Sequence, residues 1–455
     1  MTIRPEADGR SGAGDGEPVG GTVSVLGLKI AGRHIALAIL TLIYILNYMD
    51  RQILSVLLQP IKEEFGVSDG TLGLLSGVTF ALFYATLGIP IALLADRVNR
   101  RNVIAISLTV FSLMTVLCGM ATQFWHLLLA RIGVGIGEAG TSPPSHSMIA
   151  DLYPPEQRAT ALAVYATGVN IGLMLGFFGA GWLNELYGWR SAFLVAGVPG
   201  LVLAVIALIA LKEPVRGAAD LRAMPPAAPR PKQPAVGAMT VLGTMWSKPS
   251  FRHLSFAGAL FAFVGYGAVA WTPAFLIRTH GLTTGEVGTI LSLMYGVLGL
   301  IGTIVGGGLA DRLSKRDMRW QMGVPALAIL ASTPFGLGFF LSDDTTTALL
   351  FYTVPVLVGT VYLGPTFGST QALAPLRMRA AAAALLLFIL NIIGLGLGPW
   401  ILGVLSDALR PQFGQDSLRY AMLIVSLVGL WSALHYALAA RTLAADIAQT
   451  RAADS

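Results

Sequence analysis

Twelve runs of mostly apolar residues, each long enough to cross a lipid bilayer as a helix, dominate this sequence. A bilayer core about 30 Å thick needs about 20 consecutive apolar residues, because an α-helix rises about 1.5 Å per residue. We number the predicted helices span 1 to span 12 in chain order, and they cover residues 34–58, 70–95, 102–121, 125–148, 159–183, 190–211, 253–277, 285–310, 321–341, 346–370, 379–406 and 417–440. The sequence therefore predicts an all-α membrane protein.

The composition excludes the main soluble classes. Only 12% of the 455 residues are charged, whereas soluble domains carry about 25% charged residues. A soluble chain of this kind would expose large apolar patches and aggregate. The net charge of +6 does not indicate a nucleic-acid partner, because the basic residues fall in short clusters between apolar spans. The histidines lack metal-ligand spacing and no Gly-Lys phosphate-binding loop is present, so we expect neither an enzyme nor a bound metal or cofactor.

Two apolar halves are separated by a segment rich in proline and charge at residues 212–250, which has the composition of a linker. The predicted six-helix halves cover residues 34–211 and 251–440, and tails at 1–33 and 441–455 flank them. The first tail is polar and glycine-rich and has no apolar core of a signal peptide, so we expect it to be disordered.

The distribution of lysine and arginine sets the predicted orientation. If both termini lie on one side of the membrane, that side holds 23 of the 30 basic residues. The opposite side holds five, which are Lys62, Arg190, Arg278, Arg410 and Arg419. Cytoplasmic loops carry such an excess of positive charge. We therefore expect a multi-pass protein of the inner membrane with both termini in the cytoplasm.

A short pattern occurs once in each half. Span 2 ends with Leu-Ala-Asp96-Arg97, which basic residues follow, and span 8 ends with Leu-Ala-Asp311-Arg312, which basic residues also follow. Two copies at matching places indicate an internal duplication. Secondary transporters are commonly built this way, with the substrate site near the membrane midplane between the repeats.

The Asp-Arg pair with its basic residues resembles the loop motif that the major facilitator superfamily carries between its second and third helices, although the usual glycines of the motif are replaced. The resemblance implies twelve transmembrane helices in two pseudo-symmetric six-helix bundles. It also implies that Asp96, Arg97 and Arg101, and in the second copy Asp311 and Arg312, latch the inner gate when the transporter faces outward. Positive-inside topology alone would account for the same charges.

Three further stretches are similar to bacterial members of the spinster branch of that superfamily. They are Asn47-Tyr48-Met49-Asp50-Arg51 in span 1, the stretch from Arg131 to Glu138 in span 4, and Glu213-Pro214-Val215-Arg216-Gly217 after span 6. Animal members of the branch export lysolipids and phosphorylated sphingoid bases, which implies an amphiphilic substrate. The anion:cation symporter branch, which moves small organic acids with protons, shares the first two patterns and is the alternative.

Asp50, Arg131 and Glu138 place charges inside predicted spans. A charge at the centre of a membrane helix costs about 2.5 kcal/mol or more, so such residues indicate function. Arg131 and Glu138 lie almost two helical turns apart on one face of span 4, and the depth of Arg131 allows an ion pair with Asp50. We expect protonation of Asp50 or Glu138 to loosen the pairing with Arg131 and couple protons to transport; the alternative is a permanent structural salt bridge. Arg51 points about 100° away from Asp50, so it pairs elsewhere or faces the outer mouth.

Aromatic residues are frequent in the spans expected around the central cavity. The predicted cavity residues are Tyr48, Tyr84, Phe263, Tyr266, Trp271, Tyr352, Thr360 and Tyr362. Polar ligands need converging hydrogen-bonding groups, yet asparagine and glutamine are nearly absent from spans 7 and 10. We therefore expect a lipid-like substrate such as a lysophospholipid, with a small organic anion such as a sugar acid as the alternative.

These features predict a secondary transporter that works by alternating access as a monomer. Its expected partners are a small-molecule or lipid substrate, protons and membrane lipids. A receptor built on a transporter scaffold is the competing class, and it would carry a folded signalling domain, for which the tails are too short. The sequence leaves open which substrate is moved and in which direction.

Overall fold

The computed structural model describes residues 22–25, 28–217, 219 and 237–454, so residues 218 and 220–236 of the predicted linker and most of the first predicted tail lie outside the described residues. The helical membrane fold that the sequence predicts is confirmed. Spans 1 to 6 are Gly32–Phe65, Asp69–Ala95, Arg100–Gly119, Phe124–Glu138 with Ser142–Leu152, Pro155–Tyr187 and Trp189–Ala210. Spans 7 to 12 are Pro249–His280, Thr284–Ser314, Trp320–Leu341, Thr345–Leu373, Arg379–Leu390 continued by Asn391–Leu397 and Gly398–Phe413, and Ser417–Asp454.

Ten helical runs of the described chain are long and apolar enough to cross a membrane. Span 4, which consists of two shorter helices, is not among them, and spans 11 and 12 fall within one run, Leu376–Ala452. The two halves also pair their helices alike, since span 3 packs along span 6 and span 9 packs along span 12. This agreement supports the internal duplication.

Smaller elements flank the spans. Strands β1 (Thr22–Val25) and β2 (Leu28–Ala31) form an antiparallel hairpin before span 1, within the segment predicted as a tail. A short helix, Ala238–Trp246, precedes span 7, and span 12 continues as a helix to Asp454. We call the end of the bundle that holds these elements and the Asp-Arg motifs the basic side, and the opposite end the far side.

Span 4 is interrupted next to its charged residues. The first helix ends at Glu138 and the next begins at Ser142, where Pro143 and Pro144 follow at once. Proline has no N–H group and its ring collides with the carbonyl four residues earlier, so a continuous helix is not available here. Thr141 Oγ1 donates to the Glu138 carbonyl oxygen at 2.8 Å and satisfies one of the freed acceptors. The break places the Glu138 side chain at a helix end inside the bundle.

The two halves contact each other closely on the far side. Gly73 and Gly77 of span 2 lie directly against the backbone of span 11, and a Cβ atom at either position would collide with the carbonyl oxygen of Pro399 or Gly396. Spans 5 and 8 meet in the same way, because a Cβ atom on Gly181 would collide with the Thr284 carbonyl oxygen. Trp182 Nε1 also donates to Thr289 Oγ1 at 3.0 Å. Small residues that let backbones approach are the usual device for packing membrane helices.

A charged cluster, which we call the far-side clasp, reinforces this closure. Asp407 of span 11 accepts hydrogen bonds from the backbone N–H groups of Asp69 and Gly70 at 3.0 and 2.6 Å, so it caps the beginning of span 2 from the other half. The Asp69 carboxylate in turn accepts from both Nη atoms of Arg278 on span 7 at 2.8 Å and from Ser406 Oγ at 2.7 Å. Each half therefore supplies charged groups to the other.

We expect Asp407→Asn to open the far side. The amide offers one acceptor oxygen instead of two, so one backbone N–H of span 2 loses a charge-assisted bond that contributes about 1.5–3 kcal/mol. The test uses a background with Cys118 replaced by serine and Ser55, which lines a cavity inside the bundle, replaced by cysteine. We expect this cysteine to react with an impermeant thiol reagent added from the far side about tenfold faster when Asp407→Asn is present than when it is absent. Asp416→Asn, on an exposed turn, is the control and should leave the rate unchanged. Equal rates in the two variants would show that Asp407 does not hold the far side closed.

Candidate functional site

Two ion pairs lie between spans 1 and 4. In the first, Arg131 Nη1 donates to Asp50 Oδ2 at 2.5 Å, and both side chains are almost fully buried. Thr115 Oγ1 of span 3 donates to the second oxygen, Asp50 Oδ1, at 2.9 Å. Both oxygens of Asp50 therefore have a donor, and this pair holds spans 1, 3 and 4 together. The structure thus brings Asp50 and Arg131 together, as their depths allowed.

The second pair joins Arg51 and Glu138. The Nε and Nη2 atoms of Arg51 lie 2.8 and 2.6 Å from the same oxygen, Glu138 Oε1. The other oxygen, Oε2, is buried and has no hydrogen-bond partner among the described residues. The expectation that Glu138 would pair with Arg131 is wrong: consecutive residues on span 1 point about 100° apart, so Asp50 and Arg51 each reach a different charged residue of span 4.

Three aromatic rings surround the Arg51 guanidinium. Its carbon lies 5.0 Å from the ring centre of Tyr48, 4.8 Å from that of Phe80 and 4.9 Å from that of Tyr84. Cations are attracted to ring faces at these distances, so the rings hold the guanidinium in place while leaving it partly accessible. Tyr48 and Tyr84 were predicted as residues of the substrate cavity and not as partners of Arg51. Phe80 was not predicted, because an isolated phenylalanine in an apolar span carries no signal in the sequence.

A small cavity of about 50 Å³ opens beside these charges. Arg51 and Arg131 line it together with Ser55, Ser76 and other side chains from spans 1, 2, 7 and 11. It therefore presents two guanidinium groups to whatever enters it, and one of them, on Arg131, has a buried Nε without a partner in the described chain. The carboxylates of the two ion pairs balance these two charges, so an anionic group suits this surface where it replaces one of those carboxylates.

A larger cavity of about 290 Å³ lies mainly within the second half. Its lining is mostly apolar and includes four predicted residues, which are Tyr266, Tyr352, Thr360 and Tyr362. Side chains of spans 9 and 12 that sequence reasoning missed also line it, among them Phe339, Phe340, Met422 and Val425. Tyr266 and Val269 of span 7 line both cavities, so the charged and the apolar spaces adjoin.

Two predicted cavity residues, Trp271 and Phe263, belong to helix packing instead. The Trp271 indole is fully buried, and its Nε1 donates to the Pro399 carbonyl oxygen at 2.9 Å. Phe263 is also buried, and its backbone lies directly against Gly398 of span 11. Both residues are on the face of span 7 that contacts span 11. The two helices approach closely there, so no space is left for a ligand.

The Asp-Arg motif lies on the basic side. The most buried charged residue there is Arg100, which was not among the residues predicted to form the latch. Arg100 is only 1% exposed and contacts Asp151 at 2.6 Å and Glu213 at 2.7 Å. Asp96 and Arg97 are exposed, Arg101 is half-buried, and the backbone carbonyl of Asp96 accepts from Arg216. Asp311 and Arg312 of the second copy are exposed as well. The motif thus joins spans 2, 3, 4 and 6 within the first half.

Comparison with known proteins gives the family. Residues 40–399 match the model of the Major Facilitator Superfamily. An MFS-type efflux pump of Mycolicibacterium smegmatis is 35% identical over 416 residues, which are 90% of this chain and 94% of that protein. Protein spinster homolog 1 of Xenopus tropicalis is 29% identical over 436 residues, 88% of this chain and 80% of its own. A sphingosine-1-phosphate transporter of Danio rerio is 27% identical and covers 87% of this chain and 81% of its own.

A solved structure is similar along nearly its whole length. It is a bacterial homolog of the human lysosomal transporter spinster, crystallised in an inward-facing and unoccupied conformation. The TM-score is 0.81 at 32% sequence identity, with 91% of this chain and 98% of that chain covered. The closed far side of the present structure agrees with that similarity. The chain therefore belongs to the major facilitator superfamily and is a multi-pass membrane transporter of the spinster type.

Proposed function

We propose that this transporter moves an amphiphile with an anionic headgroup and a long apolar tail by alternating access. The observation that carries the proposal is the junction of the two cavities at Tyr266 and Val269. The headgroup enters the small cavity and contacts the guanidinium of Arg51, while the tail occupies the larger apolar cavity. Ligand pockets are usually apolar with a few placed polar groups, and this pair of cavities has that character.

Proton coupling follows from competition for Arg51. An anionic headgroup that binds this guanidinium displaces Glu138, whose carboxylate then lies buried without a counter-charge. Such a group is too costly to remain ionised in an apolar interior, so it takes up a proton. Binding of the anion at Arg51 and binding of a proton at Glu138 therefore favour each other. Asp50 and Arg131 keep their mutual contact throughout and serve as the fixed support.

A known relative and the distribution of charge along the chain support the same proposal. One relative is a sphingosine-1-phosphate transporter, and that substrate combines a phosphate with an apolar chain. The excess of basic residues on the basic side supports an inner-membrane protein with that side and both termini in the cytoplasm. Both cavities are formed within one chain, so we propose a monomer as the working unit, with membrane lipids around it and the Asp-Arg motifs as the inner latch.

The test is flux in proteoliposomes. We expect a labelled lysophospholipid to cross the membrane faster with the protein than without it, and faster again when a pH gradient is imposed. A sugar acid, assayed in parallel, represents the alternative substrate class of small organic anions. Movement of the sugar acid without movement of the lysophospholipid would refute the amphiphile proposal, and lysophospholipid flux that ignores the pH gradient would refute the coupling.

A further inference from the structure

A chain of three hydroxyl groups lies in the wall of the larger cavity. Thr272 Oγ1 and the Tyr352 hydroxyl are 3.2 Å apart, and the Tyr352 and Tyr295 hydroxyls are 2.6 Å apart. Tyr295 and Tyr352 line the cavity, whereas Thr272 is fully buried behind them. Spans 7, 8 and 10 each contribute one hydroxyl, so the chain depends on the tertiary fold.

The buried end of this chain determines the direction of its first hydrogen bond. Within the described part of the protein, the Thr272 hydroxyl has Tyr352 as its one hydrogen-bond partner. Thr272 therefore donates its proton to Tyr352, because a buried hydroxyl that donates to nothing loses a bond. Either tyrosine can donate in the 2.6 Å bond between them. Tyr352 is buried and Tyr295 is half-buried, so donation from Tyr352 to Tyr295 leaves the free proton on the more exposed hydroxyl, that of Tyr295, where it faces the cavity.

Both tyrosine rings are held in position by stacking. The Tyr295 ring lies parallel to Phe177 of span 5, with centres 5.3 Å apart, and the Tyr352 ring lies parallel to Phe339, with centres 4.2 Å apart. Tyr295 is also part of a π-helical turn, Met294–Leu298, in span 8, and such turns are frequent at functional sites. The free proton of Tyr295 is thus presented in one direction rather than on a mobile side chain.

We infer that Tyr295 is a specificity-determining residue that donates a hydrogen bond to a neutral oxygen of the transported amphiphile, an ester or amide carbonyl at the head of its acyl chain. The inference rests on the proposed function and adds the linker chemistry to it. Tyr295 is uncharged and its surroundings are mostly apolar, so it suits a carbonyl rather than a phosphate. A site built to bond a polar atom discriminates against the analogue that lacks it, because its own group is then left unpaired.

The test measures binding and not transport. Purified transporter in nanodiscs is loaded with a fluorescent lysophospholipid, which is displaced by an acyl lysophospholipid or by its ether analogue, in which a methylene replaces the carbonyl. We expect the wild-type protein to bind the acyl compound about fivefold more tightly, the factor of a net hydrogen bond of about 1 kcal/mol. In Tyr295→Phe we expect the affinity for the acyl compound to fall about fivefold, to that for the ether analogue, while the affinity for the ether analogue stays the same.

A matched variant defines the result. Tyr420→Phe removes a hydroxyl outside the cavity, where the ring contacts Phe413, and should keep the fivefold preference. An unchanged preference in Tyr295→Phe, or equal affinity of the wild-type protein for the two compounds, overturns the inference. Failure of the proposed function is separate, because it would appear as binding of neither compound, or as normal binding and preference without flux in proteoliposomes.

Discussion

Replacing Glu138 with glutamine will uncouple the transporter. Substrate movement driven by an imposed pH gradient falls to the rate measured without a gradient, whereas exchange of labelled for unlabelled substrate continues. The reason is that glutamine resembles the protonated glutamic acid in shape and charge, so Arg51 is permanently available to the headgroup and no proton is needed. The measurement is flux in proteoliposomes with and without the gradient, and counterflow at equal pH.

The control for this variant is Glu64→Gln. Glu64 also pairs with an arginine, Arg190 at 2.6 Å, but on the exposed far side, where both side chains are more than a third exposed. It should therefore leave coupling unchanged. A Glu138→Gln variant that responds normally to the pH gradient, alongside an Asp50→Asn variant that does not, would move the coupling role to Asp50.

The assignment to Glu138 uses information that the sequence does not contain. Depth along the helices can be counted from residue numbers, and that count brought Asp50 near Arg131, where the structure has them 2.5 Å apart. The direction in which a side chain leaves its helix relative to a neighbouring helix depends on how the two helices rotate about their axes. The sequence therefore indicated no partner for Arg51. It also gave no sign that Glu138 Oε2 would lack a hydrogen-bond partner among the residues that the structure describes.

Most of the residues that line the cavity also could not be identified from the sequence. Apolar, charge-free spans predict membrane helices well, because lipid imposes the same requirement on every lipid-facing position. The same uniformity conceals which apolar side chains face a cavity and which face another helix. Trp271 and Phe263 were expected at the cavity and pack against span 11, while Phe339 and Val425, with no distinguishing feature in the sequence, line the cavity.

The Asp-Arg motif and the far-side clasp differ in how readily they can be recognised from the sequence. The Asp-Arg motif is recognisable because its charges repeat in both halves at the basic side. The far-side clasp is formed by Asp69, Arg278 and Asp407, which are far apart in the chain and belong to no repeated pattern. Its contacts arise only when spans 2, 7 and 11 converge, so alternating access requires these bonds to break as the far side opens.

Arg131→Gln will strongly destabilise the folded protein. The change leaves the Asp50 carboxylate buried with Thr115 as its remaining donor, and removal of one partner of a buried ion pair costs about 3–5 kcal/mol. The double variant Asp50→Asn with Arg131→Gln should recover most of this loss, because two neutral amides can hydrogen-bond each other. Chemical unfolding in mixed micelles measures the free energies.

Arg190→Gln gives the matched comparison, since its exposed pair with Glu64 contributes about 0–1 kcal/mol. If Arg131→Gln costs no more than Arg190→Gln, the buried pair adds nothing to the stability of the fold, and Asp50 with Arg131 is not the fixed support of the site. Stability of the single and double variants therefore tests the supporting role of this pair without any transport assay.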